Sequence, residues 1–147
     1  MLDNPSNNLT QEVKKIALWG ILGAGIVYII GWFINVMDPD SAQYASITRE
    51  MLERGDYLQF TDQGREYLDK PPLLFWLSGI SFKLFGINNI AFRIPAFLAT
   101  LLALYSTFKL AELYYDRKTG YLSALILATA QATFLINHDV RTDTNLI

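Results

Sequence analysis

At 147 residues the chain has the length of one ordinary globular domain, but 52% hydrophobic and 14% aromatic side chains and a mean hydropathy of +0.22 point to lipid rather than water as its solvent. Its 12 basic and 14 acidic residues give a formal net charge of −2, which excludes a global basic field recruiting nucleic acid. The absence of cysteine excludes a disulfide framework and a thiolate metal site, and leaves the compartment undecided.

In chain order, the first element is the charge-free run Ile16 to Val36 (IALWGILGAGIVYIIGWFINV). At about 20 residues it is long enough to cross a hydrocarbon core of roughly 30 Å. It exceeds the apolar region of a cleaved signal peptide, and no small-residue cleavage site precedes Asp38. Gly20, Gly23, Gly25 and Gly31 thin one side of it, as close packing against another membrane helix requires. Lys14 and Lys15 directly precede the run, so the positive-inside rule puts the N-terminus in the cytoplasm and the loop 37–89 outside.

Within that loop, Asp40 reads as the cap of a helix over 41–54, with Tyr44, Ile47 and Met51 at helical spacing and Arg54-Gly55 as the stop. Tyr57 to Leu68, with its Asp62-Gln63-Gly64 turn, reads as a small hairpin or an irregular loop. Lys70-Pro71-Pro72 closes it on stiff backbone and presents a cation at headgroup depth. Leu73 to Phe85 is about 13 residues long, too short to span comfortably. It reads as a second interfacial helix, with a short true span as the rival. A second span follows over 90–110, then a polar turn through Asp116-Arg117-Lys118, a third span over 121–137, and the start of a further segment over 138–147.

This orientation places the carboxylates of the first loop and of the 138–147 segment on one face. Asp40 and Asp143 are the candidate general bases, and Lys70 and Arg141 are the cations that would neutralise a leaving phosphate. Each also has a structural reading: Asp40 as a helix cap, Lys70 as a snorkelling lysine, Asp143 as a helix start. No cofactor is indicated, and a divalent metal has no supporting ligand pattern. His138, the only histidine, reads as a capping or interfacial residue.

Pro39-Asp40-Ser41-Ala42-Gln43-Tyr44-Ala45, Ile47-Thr48-Arg49-Glu50-Met51, Gly55-Asp56, Tyr67-Leu68-Asp69-Lys70-Pro71-Pro72, Leu84-Phe85-Gly86, Arg93 and Arg141-Thr142-Asp143 stand in an ordered series. This series resembles the opening of glycosyltransferase family 39, the dolichyl-phosphate-mannose protein mannosyltransferase-like group that includes the bacterial aminoarabinose transferases. Ser41 stands where that family often carries an acidic residue, and Gln43 where the aminoarabinose transferases carry arginine. The resemblance implies an all-α membrane protein, the N-terminal part of a polytopic GT-C helix bundle with juxtamembrane helices in the first extracytoplasmic loop. It implies transfer, with inversion, of a sugar from a polyprenyl-phosphate carrier to an acceptor that the residues do not identify. The site would lie on the outer side of a bacterial inner membrane, among membrane lipids. It assigns Asp40 as catalytic aspartate, Asp143 as a second acidic position, Lys70 as the lysine at the donor phosphate, and Tyr44, Tyr67 and Asp69 to the pocket. A non-catalytic subunit or scaffold gripping a lipid phosphate is the competing expectation.

Overall fold

The computed structural model describes residues 5–33, 39–138 and 140. Six helices follow in order: α1 (Pro5–Gly31), α2 (Pro39–Arg54), α3 (Leu73–Phe85), α4 (Asn89–Tyr114), α5 (Arg117–Thr129) and α6 (Gln131–His138). A two-stranded hairpin, β1 (Thr61–Asp62) and β2 (Arg65–Glu66), lies between α2 and α3. Asn8–Gly31 and α4 are each long and apolar enough to cross a membrane, and α5 with α6 passes the same test as a pair bent by 51°.

The first helix ends at Gly31, short of the expected Val36. Two i→i−3 bonds, Trp32 N–H to the Ile29 carbonyl (3.0 Å) and Phe33 N–H to that of Ile30 (3.2 Å), tighten its last turn. Gly20 lets α5 approach closely, since a Cβ there would lie 2.5 Å from Leu125 Cδ1, whereas nothing lies within 4 Å of a Cβ at Gly23 or Gly25. The expected single helix over 121–137 is broken at Ala130, whose ψ of 129° is extended. The Tyr28 hydroxyl of α1 donates to the Ala128 carbonyl at 2.6 Å, beside this break. Thus the chain bends where a neighbouring helix supplies a replacement donor.

The second helix begins at Pro39, so Asp40 sits inside the first turn and is not the cap. Proline suits this opening position because its φ is preset for the helix and the N–H it lacks would have had no partner in the helix. Ser41, Tyr44, Ile47, Thr48 and Met51 form the buried stripe. Gly55 ends α2 at φ +69°, its N–H meeting the Met51 carbonyl at 3.1 Å. The 57–68 segment resolves as a hairpin: Gln63 and Gly64 both have positive φ (51° and 79°), as a two-residue turn matched to strand twist requires. Glu50 fastens it to α2 by accepting from the Thr61 hydroxyl and the Gln63 N–H, each at 2.9 Å.

The third helix is clasped between α2 and α4. Leu74, Phe75, Ser78, Gly79, Ser81 and Phe82 are buried, while Ile80, Leu84 and Phe85 are exposed. A Cβ at Gly79 would meet Met51 Cε at 2.6 Å, so glycine permits the α2–α3 approach. Pro95 lies inside α4 and cannot donate to the Ala91 carbonyl four residues back. The Ser81 hydroxyl of α3 donates to that carbonyl at 2.6 Å. The main hydrophobic core includes Tyr44, Ile47, Met51, Phe60, Leu74, Phe75, Phe82, Phe92 and Val140, so it lies in the layer of α2, the hairpin, α3 and the start of α4.

Candidate active site

Four of the expected site residues converge. Asp40 projects from the first turn of α2 and is exposed, and Tyr44, one turn on, is 3% exposed. Tyr67 is half-buried just past β2, where its N–H donates to the Phe60 carbonyl at 2.9 Å. Both tyrosine rings stand edge-on to the buried Phe75 ring, with centroids 6.1 Å away in each case. The Tyr67 phenol is pushed up to about 12 by burial first, then by neighbouring Tyr44 and Asp69, a hydrogen bond with Tyr44, and the Asp40 charge. Tyr67 therefore keeps its proton through the physiological range. The carboxylates of Asp40 and Asp69, from segments flanking the hairpin, both reach it electrostatically.

Lys70 is exposed and forms no ion pair among the described residues. Asp40 also lines a cleft of about 450 Å³ with Pro39, Ala42, Gln43, Ser46, Asp62 and Gln63. At its far side the Gln43 amide donates to Asp62 Oδ2 at 2.6 Å. The uncharged residue that stands in place of an arginine is thus engaged by the hairpin. Asp143 and Arg141 lie outside the described residues, but Val140 is fully buried in the α2–α3 core. The Ser41 hydroxyl donates to the Val140 carbonyl at 3.1 Å, fixing that chain segment against the start of α2. An acidic side chain at this position, ionised, could not make that donation.

Sequence reasoning missed the roles of Asp62 and Glu50, which act through contacts between the hairpin and α2. Hydrogen-bond donors act on Glu50 against a burial effect that alone would raise its pKa. Bonds from Thr61, Gln63 and Gly64, with the Arg54 charge, outweigh it and hold the carboxyl below its usual value. Arg93 had a visible signal, the one charge in the apolar stretch 90–108 at the start of α4. Among the described residues no group of three or more His, Asp or Glu side chains is placed to hold a metal ion.

The family model described as dolichyl-phosphate-mannose-protein mannosyltransferase matches residues 69–147, over half of the chain. The chain belongs to this family. It is 37% identical over 99 residues to an undecaprenyl phosphate-alpha-4-amino-4-deoxy-L-arabinose arabinosyl transferase of Yersinia enterocolitica, covering 67% of this chain and 18% of that protein. It is 38% identical over 121 residues to the protein of the same name from Erwinia tasmaniensis, covering 81% of this chain and 22% of the relative. The chain thus spans about a fifth of these relatives' length. The structure matches the crystal structure of ArnT from Cupriavidus metallidurans in the apo state with a TM-score of 0.76 and 24% identity, over 89% of this chain and 25% of that one. The fold is accordingly that of a GT-C membrane helix bundle, of which this chain forms a part, and the protein is integral to the membrane.

Proposed function

We propose that the chain contributes the donor-phosphate and general-base side of a membrane glycosyltransferase, one that moves a sugar from a polyprenyl-phosphate donor to an extracytoplasmic acceptor with inversion. The donor class follows the names of the relatives, which specify an undecaprenyl phosphate-linked aminosugar. The observation that carries the reading is the convergence of Asp40, Tyr44, Tyr67 and Asp69; Lys70 follows Asp69 directly in the chain, exposed and without an ion-pair partner among the described residues.

In this reading Asp40 takes the proton of an acceptor hydroxyl whose oxygen attacks the anomeric carbon. The bond from that carbon to the phosphate oxygen breaks on the opposite face, and its electron pair leaves with the polyprenyl phosphate. A single displacement of this kind inverts the carbon. Lys70, together with Arg141, neutralises the charge on the departing phosphate. Asp143 is the second acidic group of the site, and Tyr67, protonated, donates a hydrogen bond in the pocket. The protein would lie in a bacterial inner membrane as a multi-pass chain, with 37–89 outside and the Asp116 turn inside.

The test is Asp40→Asn in the full-length protein, assayed with an undecaprenyl-phosphate sugar. Transfer should be lost with membrane insertion intact, and Lys70→Ala should mainly raise the KM for donor. Normal turnover by Asp40→Asn would refute the assignment.

A further inference from the structure

Arg93 is the largest fully buried side chain among the described residues. It stands near the start of α4, and its guanidinium reaches two other helix ends. Nη1 donates to the Gly31 and Trp32 carbonyls at the end of α1, at 3.0 and 2.9 Å. Nε donates to the carbonyl of His138, the last residue of α6, at 3.1 Å. The last carbonyls of a helix have no partner within it and carry its negative end, so one fixed cation serves both termini. A fork of planar donors can hold several carbonyls in one geometry, which a single ammonium cannot.

The two clamped ends lead to the two segments on which the proposed reaction depends. Asp40 follows Trp32 by eight residues and Asp143 follows His138 by five. The same two segments are joined again by the Ser41 hydroxyl on the Val140 carbonyl. Lys70 lies on a third segment, after the hairpin on the proline-stiffened approach to α3.

We infer that Arg93 is a positioning residue for the proposed transfer, its guanidinium registering the end of α1, from which the chain runs to Asp40, against the end of α6 from a single buried point. The inference rests on the function proposed above. It separates two effects within one site. Loss of the clamp shifts the base relative to the reacting carbon, and a displacement near 1 Å costs about 10²-fold in turnover. Donor capture through Lys70 is touched less.

The experiment compares Arg93→Gln, Arg93→Lys, Ser41→Ala and Lys70→Ala in the full-length protein, with folded yield measured alongside kcat and donor KM. Arg93→Gln should lower kcat by about 10²-fold while donor KM stays within about threefold, the reverse of the Lys70→Ala pattern. Arg93→Lys should recover part of kcat, and Ser41→Ala should lower kcat by a smaller factor in the same direction. Wild-type kcat in Arg93→Gln would overturn the inference. So would losses that only follow folded yield, with Arg93→Lys no better than Arg93→Gln. If Arg93→Gln does not fold, wild-type kcat in both Arg93→Lys and Ser41→Ala overturns it. Activity in Asp40→Asn under the same assay refutes instead the catalytic reading on which the inference rests.

Discussion

The layer built from α2, the hairpin and α3 and the bundle of long helices are stabilised in different ways. In the layer, large side chains face inward: Phe75 is fully buried and touches the rings of Tyr44, Phe60 and Tyr67. In the bundle many face outward, with Trp19 72% and Leu102 66% exposed, while small residues, a few ring pairs such as Trp32–Phe97, and side-chain bonds to backbone carbonyls make the helix contacts. Apolar burial drives the first, as it does for a domain in water. In lipid that driving force between helices vanishes, and close approach with satisfied polar groups takes its place. The proposed site sits on the layer, where Tyr44 and Tyr67 pack against Phe75 while Asp40 and Lys70 remain exposed.

The largest expected effect is Phe75→Ala, which removes the ring at the centre of the layer. A loss of about 3–5 kcal/mol is expected for a buried phenylalanine, read as a lowered thermal midpoint with donor-dependent activity falling in step. Ser81→Ala should come next. It leaves the Ala91 carbonyl, already without its helical donor because of Pro95, unsatisfied in an apolar setting, a loss of about 1–3 kcal/mol. Restored stability in Ser81→Ala combined with Pro95→Ala would confirm the cause.

Acid should loosen the hairpin before the bundle. The Glu50 carboxyl is held below its ordinary value of 4.5 by the hairpin donors, so its contribution is full above that value and disappears as pH falls through the lowered one. Limited proteolysis at Asp62 to Gly64 across that range should show cleavage rising only below about 4.5, and Glu50→Gln should remove the dependence. The smallest effect is expected for Trp19→Ala, within about 0.5 kcal/mol, because its ring packs outward. A loss as large as that of Phe75→Ala would show that the two regions do not differ as argued.

Much of the helical pattern was legible because charge-free length and turn chemistry are local signals. The stop at Gly55, the turn at Gln63-Gly64 and the short α3 all follow from nearby residues. The end of α1 and the break at Ala130 were not legible. Arg93, which grips the Gly31 carbonyl, lies 62 residues further on, and Tyr28, which donates to Ala128, lies 100 residues earlier. Asp40 was found from span orientation and the family motifs together, Tyr44, Tyr67 and Asp69 through the motifs, and the structure brings these four together. Ser41 and Asp62 acquire their roles only from contacts made across the fold, so no local pattern announced them.

The placement of α3 at one face, and with it the shared side of Asp40 and the end of α6, is the central claim. Single cysteines introduced at Ala42 and at Lys118 in the full-length protein, probed with a membrane-impermeant thiol reagent in intact cells, test it directly. With α3 in the interface, one crossing separates these positions, so Ala42→Cys should label from outside and Lys118→Cys only after permeabilisation. Labelling of both from the same side would mean that α3 crosses the membrane, and would contradict the account.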